Sequence, residues 1–424
     1  MKSSQLTAQL SQQIPAFSEF FDALRASGMA TWLVGGCVRD LLLGEECADI
    51  DVVSSADPSD WARSWAKGRG YWFWLDEQRH QSRILLADGI SFDFAPLRAA
   101  TITGDLQARD YTINAIAIPI HEPAHLFDPL NGITDLKNRR LKMCAAASFS
   151  DDPLRILKGV RHAAVLNFTI EDQTIAAMTQ QAQQLKQVAA ERIREELLKI
   201  VAVRNISYAL QMLSRTTVLQ VLLGLPGASW SEHEYVAAHQ SLVDRFAAFD
   251  GQYQLAVSKE LQQQRLLFHL AALLIAYAPQ RFAQTYPDLC LSRAQQRLLS
   301  ALRDELPTPW LQQLRQVSSD RQRALAVEQL EPCGVERVFY HGWGRGQLQD
   351  DTVITLLRAY EQEQQHSRIP DLLDGHAIRQ YAGTDNRIIG ELLHQIKTLE
   401  IAGRIHSAED AHRWLRGHFG FDKN

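Results

Sequence analysis

The chain has 424 residues, of which 46% are apolar and 22% charged, a composition typical of folded globular proteins rather than disordered ones. At roughly 150 residues per domain, this length suits about three structural units rather than one core. The 44 Lys and Arg residues against 49 Asp and Glu give a net charge of −5, so any contact with a nucleic acid must depend on a local basic surface.

The beginning of the chain and its cysteines indicate a cellular location. Residues 1–20 are polar and lack the pattern of a secretory signal, and no apolar run approaches the roughly 20 residues that span a bilayer. The five cysteines are scattered without a C-x-x-C pair, which disfavours a disulfide framework and a zinc site. We therefore predict a cytoplasmic protein without a membrane segment, and we predict no protein partner.

The first chemically informative segment is a strand that runs into a glycine turn. The strand ends at Val34, Gly35 and Gly36 form the turn, and a helix is predicted from residue 38 until Gly44 stops it. Paired glycines before a helix leave backbone N–H groups free to approach a phosphate, and Arg39 can reach the same anion. A plain structural turn is the alternative for this pattern.

Two carboxylates follow on the next predicted strand, residues 49–53. Asp49 and Asp51 share one face of the strand, because side chains alternate, while Ile50 points toward the core. Two adjacent carboxylates repel each other unless a cation lies between them, and a divalent metal with oxygen ligands satisfies both. We therefore predict a metal site, with Mg²⁺ as the cofactor, at Asp49 and Asp51.

A hairpin is predicted over residues 83–94, with Asp88-Gly89 as its two-residue turn. Asp93 lies between two phenylalanines in the second strand of this hairpin. A charged residue in that position is a candidate third carboxylate for a two-metal site, and an ordinary solvent-facing position is the alternative.

Beyond residue 150 the chain becomes helical in period and composition. Ile193, Leu197 and Ile200 fall on one apolar helix face, and glycines at 223–227 and 342–346 suggest breaks between helical blocks. The pattern predicts an α/β head of about 140 residues followed by a long helical body. Seven basic residues against two acidic ones between 137 and 161 form the candidate nucleic-acid strip: Lys137, Arg139, Arg140, Lys142, Arg155, Lys158 and Arg161.

The glycine turn and the paired carboxylates together resemble the signature of the class II tRNA nucleotidyltransferases and bacterial poly(A) polymerases, within the polymerase-β-like superfamily. Four further segments resemble motifs of that family in the same order: residues 108–117, 127–136, 151–161 and 190–200. The resemblance implies an α+β fold, with a mixed-sheet head followed only by helices. Its parts would be a nucleotidyltransferase head at 1–140, a helical neck at 141–205, a helical body at 206–345 and a helical, tRNA-binding tail at 346–424.

The resemblance also implies roles for individual residues. Asp49, Asp51 and Asp93 would be catalytic, with metal at the first two. The nucleotide would bind to Gly35, Gly36, Arg39, Arg109, Asp110, Asp152, Arg155, Lys158 and Arg161. Without the resemblance, Arg109-Asp110 would be interpreted as an ordinary neighbouring ion pair.

Asp152 and Arg155 are the predicted base-selecting pair. At i and i+3 they would share a helix face and present an acceptor beside a fork of donors, which cytosine and adenine match and uracil and guanine do not. The alternative is a helix N-terminus capped by Ser150 or Asp151. Lys158 departs from the arginine that the family usually has, which bears on its ability to stack or to bind bidentately.

The predicted reaction is template-independent addition of C to the 3′ end of tRNA from CTP, with release of pyrophosphate. Only ten residues, 99–108, separate Arg98 from Arg109, where members that build the whole CCA end usually have a longer flexible loop. Ala108 stands where the family often has a second arginine. Complete CCA addition with CTP and ATP, A addition, poly(A) synthesis and a non-catalytic RNA-binding protein are the alternatives, in that order.

Overall fold

A computed structural model describes residues 8, 11–12, 17–121, 125–223, 239–242, 244–249, 255, 257–277, 289–364, 371–382 and 386–419. The chain divides into two compact units, of which the first comprises Met1–Glu196 and Val203–Ala228, and the second Leu197–Ala202 and Ser229–Asn424. No helix of the described residues is both long enough and apolar enough to span a membrane.

The first unit begins with a mixed sheet and its helices, which confirms the predicted α+β fold. The sheet has six strands in the order β3-β4-β5-β2-β1-β6, and only the β2–β5 pair is parallel. In chain order, the elements of this part are α1 (Phe17–Ala26), β1 (Thr31–Val34), α2 (Gly36–Leu43), β2 (Asp49–Ser54), α3 (Ser59–Ala66), β3 (Gly70–Asp76), β4 (Gln81–Leu86), β5 (Ser91–Pro96), α4 (Ile102–Gln107), a 3₁₀ turn (Thr112–Asn114) and β6 (Ala117–Pro119).

Helices α1 and α3 cover one face of this sheet. The ring of Phe20 in α1 stacks on Phe92 of β5 with centroids 4.1 Å apart, and Trp65 of α3 meets the same ring edge-on at 5.7 Å. Ile50 of β2 is fully buried on this face, as the alternation of its strand predicts. Asp51 and Asp93, one residue out of phase, therefore lie on the other face, where Ile102 and Leu106 of α4 form an apolar cluster with residues of β1, β2 and β6.

The remainder of the first unit is helical apart from one short parallel strand pair. Its elements are α5 (Gly132–Lys137), β7 (Arg140–Leu141), α6 (Ser148–Asp151), α7 (Arg155–Leu166), β8 (Thr169–Ile170), α8 (Asp172–Gln181), a 3₁₀ helix (Ala182–Gln187), α9 (Ala190–Val201), α10 (Ile206–Arg215) and α11 (Val218–Leu223). Ile193, Leu197 and Ile200 are buried along α9, which confirms the predicted apolar face. From Leu197 onward the residues of α9 are assigned to the second unit. Gly224 and Gly227, predicted to mark a break, lie outside the described residues.

The second unit is helical throughout its described residues. Its elements are α12 (Val257–Tyr277), α13 (Arg293–Arg303), α14 (Thr308–Leu314), α15 (Asp320–Glu328), α16 (Gly334–Arg337), a π-helical turn (Val338–Gly344), α17 (Asp350–Gln364), α18 (Gly375–Ala382), α19 (Asn386–Ile401) and α20 (Ala408–Phe419). Of the glycines at 342–346, Gly342 and Gly344 lie in the π-helical turn and Gly346 follows it, before α17 begins at Asp350. The finer division into head, neck, body and tail stays a prediction.

Gly159 in α7 is tightly packed against a neighbouring side chain. A Cβ at this position would collide with the hydroxyl of Tyr111, a fully buried side chain that donates a hydrogen bond of 2.7 Å to the carbonyl of Arg155. We expect Gly159→Ala to lower the free energy of unfolding by about 1–3 kcal/mol, because the added methyl overpacks the core. Urea unfolding followed by circular dichroism measures this change.

Gly390 in α19 provides the matched control for that substitution. A Cβ there has no neighbour within 4 Å, so Gly390→Ala adds the same methyl to a helix without any collision. It is expected to be neutral or to stabilise the chain by up to about 1 kcal/mol. Equal stability of the Gly159→Ala variant and the wild type would contradict the packing described for Tyr111.

Candidate functional site

The glycine turn after β1 lies directly against the β2 carboxylates. Gly35 has a φ of 78°, in the left-handed region, and a Cβ at this position would collide with the carboxylate of Asp51. Both constraints require glycine at 35. The turn opens α2 at Gly36, and Gly44, with a φ of 80°, ends that helix as predicted.

Arg39 is held in a fixed orientation one turn into α2. Its guanidinium donates two hydrogen bonds to the carboxylate of Asp40, at 2.7 and 2.9 Å, and a third to the side-chain oxygen of Asn114 at 2.9 Å. The residue is only 9% exposed. A guanidinium ordered in this way needs little further loss of entropy to bind an anion.

The three predicted carboxylates lie in two neighbouring strands but have different partners. Asp49 accepts a hydrogen bond of 2.5 Å from the hydroxyl of Ser91, its partner in the β2–β5 register. Asp93, the register partner of Asp51, accepts two hydrogen bonds from Arg83, at 2.6 and 2.7 Å. Among the described residues, no group of three or more His, Cys, Asp or Glu side chains is arranged to hold a metal ion.

The pKa of the Asp51 carboxyl is raised. Burial raises its pKa to about 6, and the negative charges of Asp93 and Asp49 act in the same direction, while the positive charge of Arg109 opposes them. The negative charges around Asp51 therefore favour a cation bound at Asp49 and Asp51. Carboxylate oxygens are the donors that Mg²⁺ prefers.

Arg109 is oriented by a buried carboxylate of α4. Asp105 is fully buried and accepts a hydrogen bond of 3.0 Å from the Arg109 guanidinium and another of 3.0 Å from the backbone N–H of Arg98. The alternative interpretation of Arg109-Asp110 as a neighbouring ion pair is wrong, because Arg109 pairs with Asp105. Asp110 instead accepts hydrogen bonds from the backbone N–H of Tyr111 and from the Asn114 side chain, at 2.8 and 3.1 Å.

The base-selecting pair is not arranged as the sequence predicts. Helix α7 begins at Arg155, and Asp152 precedes it in an extended conformation, with φ −147° and ψ 96°. Pro153 explains this difference, because a residue before proline is sterically excluded from the helical region. The predicted shared helix face and the capping role of Ser150 or Asp151 are therefore wrong. The Asp152 carboxylate accepts a hydrogen bond from the backbone N–H of Leu154 at 3.3 Å.

Separate contacts hold the members of this pair. Asp152 forms an ion pair with Arg192 of α9 at 3.2 Å. The Arg155 guanidinium donates hydrogen bonds to the backbone carbonyls of Ala108, Ser148 and Arg109, at 3.1, 3.2 and 3.4 Å. Arg155 thus joins the start of α7 to the segment that carries Arg109.

Lys158 and Arg161 continue along α7, one and two turns beyond Arg155. Arg161 donates a hydrogen bond of 2.8 Å to Glu196 of α9, which is 5% exposed. The other members of the predicted basic strip do not line the cleft described below. They are Lys137, Arg139, Arg140 and Lys142.

These side chains line one open cleft of about 350 Å³. Of the predicted site residues, all but Asp49 and Asp93 are part of its wall: Gly35, Gly36, Arg39, Asp51, Arg109, Asp110, Asp152, Arg155, Lys158 and Arg161. Asp93 instead lines an adjoining cavity that shares Asp51, Arg98 and Arg109 with the first. The cleft thus combines three half-buried carboxylates, Asp51, Asp110 and Asp152, with a higher number of positive charges.

Three residues of the cleft were not predicted as site residues: Arg98, Asn114 and His162. Asn114 lies inside the 108–117 motif, so the motif itself could have indicated it. Burial, together with the positive charges of Arg161 and Arg39, lowers the pKa of His162 to about 3, and the imidazole is therefore neutral at neutral pH. Nothing in the local sequence around His162 indicates this position.

Two families match the chain. Residues 31–142 match the family described as "Poly A polymerase head domain", and residues 167–230 match the one described as "Probable RNA and SrmB- binding site of polymerase A". These matches confirm the resemblance inferred from the motifs.

Curated relatives match only part of the chain. A CC-adding tRNA nucleotidyltransferase of Geobacter sulfurreducens is 43% identical over 191 residues, which are 44% of each protein. A CCA-adding enzyme of Lactobacillus delbrueckii subsp. bulgaricus is 28% identical over 54% of this chain and 59% of that enzyme. The chain thus matches about half the length of these relatives.

Solved structures are similar over nearly the whole chain. A CCA-adding enzyme in complex with CTP has a TM-score of 0.72 at 23% identity, with 100% of this chain and 99% of that one covered. A Thermotoga maritima CCA-adding enzyme complexed with tRNA has a TM-score of 0.63 at 23% identity, over 99% and 98% of the two chains. The whole chain therefore has the fold of these structures.

Proposed function

We propose that the chain is a template-independent tRNA 3′-end nucleotidyltransferase that adds C residues from CTP. One observation carries this proposal: a single cleft is lined by a glycine turn before a helix, a half-buried strand carboxylate, and the acidic and basic side chains of a candidate base-selecting site. The reaction would be an in-line attack of the RNA 3′-hydroxyl on the α-phosphate of the nucleotide. The new phosphodiester bond forms as the bond to the β-phosphate breaks, and pyrophosphate leaves.

Asp49 and Asp51 would hold Mg²⁺, and their chemistry fits the ion. Both are oxygen donors on one strand, and neighbouring negative charge and burial destabilise the ionised form of Asp51 in the absence of a cation. When bound, Mg²⁺ neutralises charge on the phosphates and favours ionisation of the attacking hydroxyl. Asp93 remains a proposed third carboxylate, although Arg83 occupies both of its oxygens.

The remaining side chains of the cleft would bind and orient the nucleotide. The N–H groups at Gly35 and Gly36 and the guanidinium of Arg39 would hold the triphosphate, and Arg109 would contact a phosphate or the ribose. Asp152 and Arg155 would bind the Watson–Crick edge of the base, and Lys158 and Arg161 the phosphates or the base face. The helices of the second unit would bind the tRNA by its shape and backbone, and the cytoplasm would be the site of action.

The segment before Arg109 supports CC addition over complete CCA addition. Its ten residues contain α4, whose first turn is capped by Thr101 through a hydrogen bond from the backbone N–H of Gly104 at 3.2 Å. Asp105 ties this helix to Arg98 and Arg109 at the two ends of the segment. A short capped helix anchored at both ends leaves little freedom to reshape the pocket from C to A.

Complete CCA addition is the second candidate, and the similarity of fold to CCA-adding enzymes over nearly the whole chain favours it. Primer extension with Mg²⁺ distinguishes the two reactions. A tRNA transcript lacking CCA and another ending in CC are each incubated with CTP, with ATP and with both nucleotides. We expect two C residues on the first transcript and no A on the second.

Other products of that assay would contradict the proposal in recognisable ways. A complete CCA end would replace CC addition with the second candidate. Untemplated A addition to any RNA would indicate a poly(A) polymerase. Absence of any incorporation, with retained tRNA binding, would indicate a non-catalytic RNA-binding protein.

A further inference from the structure

An exposed apolar strip lies at the β3 edge of the sheet, outside the cleft already described. Its members are Tyr71, Phe73 and Leu75 of β3, which are 77%, 41% and 47% exposed, and Leu85 of β4, which is 37% exposed. They make up half of the large apolar side chains that are exposed among the described residues. Because the strip is contiguous, it is a candidate binding surface rather than scattered surface residues.

The side chains on the opposite face of β3 pack against other residues of the protein. Trp72 and Trp74 alternate with the strip and contact each other edge-to-face at 4.9 Å. The guanidinium of Arg63 in α3 lies 4.3 Å from the Trp72 ring centre. The fold therefore uses one face of the strand for its core and leaves the other face, with its aromatic rings, to solvent.

The strand register connects this strip to the candidate catalytic carboxylates. One row across the sheet runs from Phe73 through Arg83 and Asp93 to Asp51, and a neighbouring row runs from Tyr71 through Leu85 and Ser91 to Asp49. Residues paired in register share a face of the sheet. Tyr71 and Phe73 therefore lie on the same face as the two carboxylates, three strands away.

The distance along these rows suits a short single strand of nucleic acid. Three strand spacings at about 4.8 Å each amount to roughly 14 Å. Bases stacked on one another at about 3.4 Å would need about four nucleotides for that distance, whereas a strand whose bases stack on protein rings is extended and needs about two or three. An RNA whose 3′-hydroxyl lies at Asp49 and Asp51 would thus bring its preceding nucleotides over the strip.

The adjoining cavity makes the path from the strip to the carboxylates continuous. Leu75 of the strip lines it together with Gln81, Asp93, Asp51 and Arg98. Arg83 lies between Phe73 and Asp93 in the strand register, and its guanidinium donates two hydrogen bonds to Asp93. Aromatic rings with an adjacent guanidinium bind the faces of unpaired bases of any sequence.

We propose that the apolar strip is a stacking platform for the unpaired 3′-terminal nucleotides of the RNA substrate, with Tyr71 and Phe73 as its positioning residues. The proposal rests on the proposed function, because that function places an RNA 3′ end at the carboxylates. The platform adds to the proposed function a surface that binds the RNA strand rather than the incoming nucleotide.

Binding to two RNA probes tests the platform. One tRNA transcript ends in unpaired CC, and the other ends at the last base pair of the acceptor stem, without unpaired 3′ nucleotides. We expect Tyr71→Ala and Phe73→Ala each to raise the Kd for the first probe about 5- to 100-fold, as the loss of a stacked base does. The Kd for the second probe should stay within about twofold. In extension assays, the KM for RNA should rise and the KM for CTP should not.

Two further variants serve as controls. Tyr71→Phe keeps the ring and should restore binding of the CC-ending probe. Phe127→Ala removes a ring of similar exposure, 40%, next to β6 at the opposite edge of the sheet, and should leave both Kd values unchanged. All measurements use one salt concentration, because phosphate contacts respond steeply to salt.

Equal losses for both probes, or no loss for either, would overturn the stacking platform. Self-association of the wild-type chain that Tyr71→Ala abolishes, with RNA binding unchanged, would make the strip a protein interface and would also overturn it. The proposed function is tested separately, by measuring nucleotide incorporation with the wild-type chain. Wild-type incorporation with unaltered variant binding refutes the platform alone.

Discussion

Asp51→Asn is expected to reduce C addition by on the order of 10³-fold while leaving tRNA affinity nearly unchanged. The substitution keeps the shape of the side chain but removes the charge that would hold the metal ion against the triphosphate. Loss of about 4 kcal/mol of transition-state stabilisation corresponds to this factor. Single-turnover incorporation from CTP into a transcript lacking CCA measures the rate, and the Kd of the same transcript measures binding.

Asp172→Asn is the matched control for that variant, since its carboxylate lies in α8 of the same unit and is 98% exposed. The same change there should leave the rate within about twofold of the wild-type rate.

Asp93→Asn and Arg83→Gln separate the two roles open to Asp93. A loss confined to Asp93→Asn indicates a metal-binding carboxylate, and equal losses in both indicate that the ion pair itself is needed. Full activity of Asp51→Asn would contradict the assignment of this strand as catalytic.

Asp152→Ala is expected to relax the preference for CTP over UTP by about 5- to 150-fold. The carboxylate would accept a hydrogen bond from the exocyclic amino group of cytosine, which uracil lacks. Each buried polar group left unpaired costs about 1–3 kcal/mol, and removing the acceptor removes that difference between the bases. The ratio of kcat/KM for the two nucleotides, measured with one RNA substrate, gives the change directly.

Arg192 offers a second way to examine this pair. Its ion pair with Asp152 orients a carboxylate that no helix holds, so Arg192→Ala should lower discrimination in the same direction but by less. Arg204→Ala, elsewhere in the same unit, removes an exposed arginine and should not alter the ratio. Unchanged discrimination in Asp152→Ala would refute the pairing of this carboxylate with the base.

The parts of the structure that could be predicted are those in which a local pattern determines the conformation. The hairpin around Asp88-Gly89 was predicted because its turn needs a positive φ, which Gly89 adopts at 87°. The two-residue turn itself is wrong, because Leu86 bonds to Ile90 and leaves a loop of three residues, 87–89. Gly44 ends α2 for the same reason. The common face of Asp49 and Asp51 follows from strand alternation, because Ile50 between them is buried.

Other features depend on neighbours that are distant in the sequence. Strand β3 was not predicted, because both of its faces carry large apolar side chains and the usual alternation of polar and apolar residues is missing. The ion pair of Arg161 with Glu196 joins residues 35 positions apart, and no local pattern encodes it. The extended conformation of Asp152 could have been predicted from the sequence, since the rule for residues before proline applies to Asp152-Pro153 directly.

Because of Asp105, the short connection before Arg109 cannot be replaced without affecting the cleft. Its buried carboxylate serves both ends of the connection, through the backbone of Arg98 and the guanidinium of Arg109. A chimera that received a longer loop in place of residues 99–108 would therefore lose the acceptor that orients Arg109. Protein engineers who wish to widen the nucleotide repertoire would have to transplant a substitute carboxylate along with the loop.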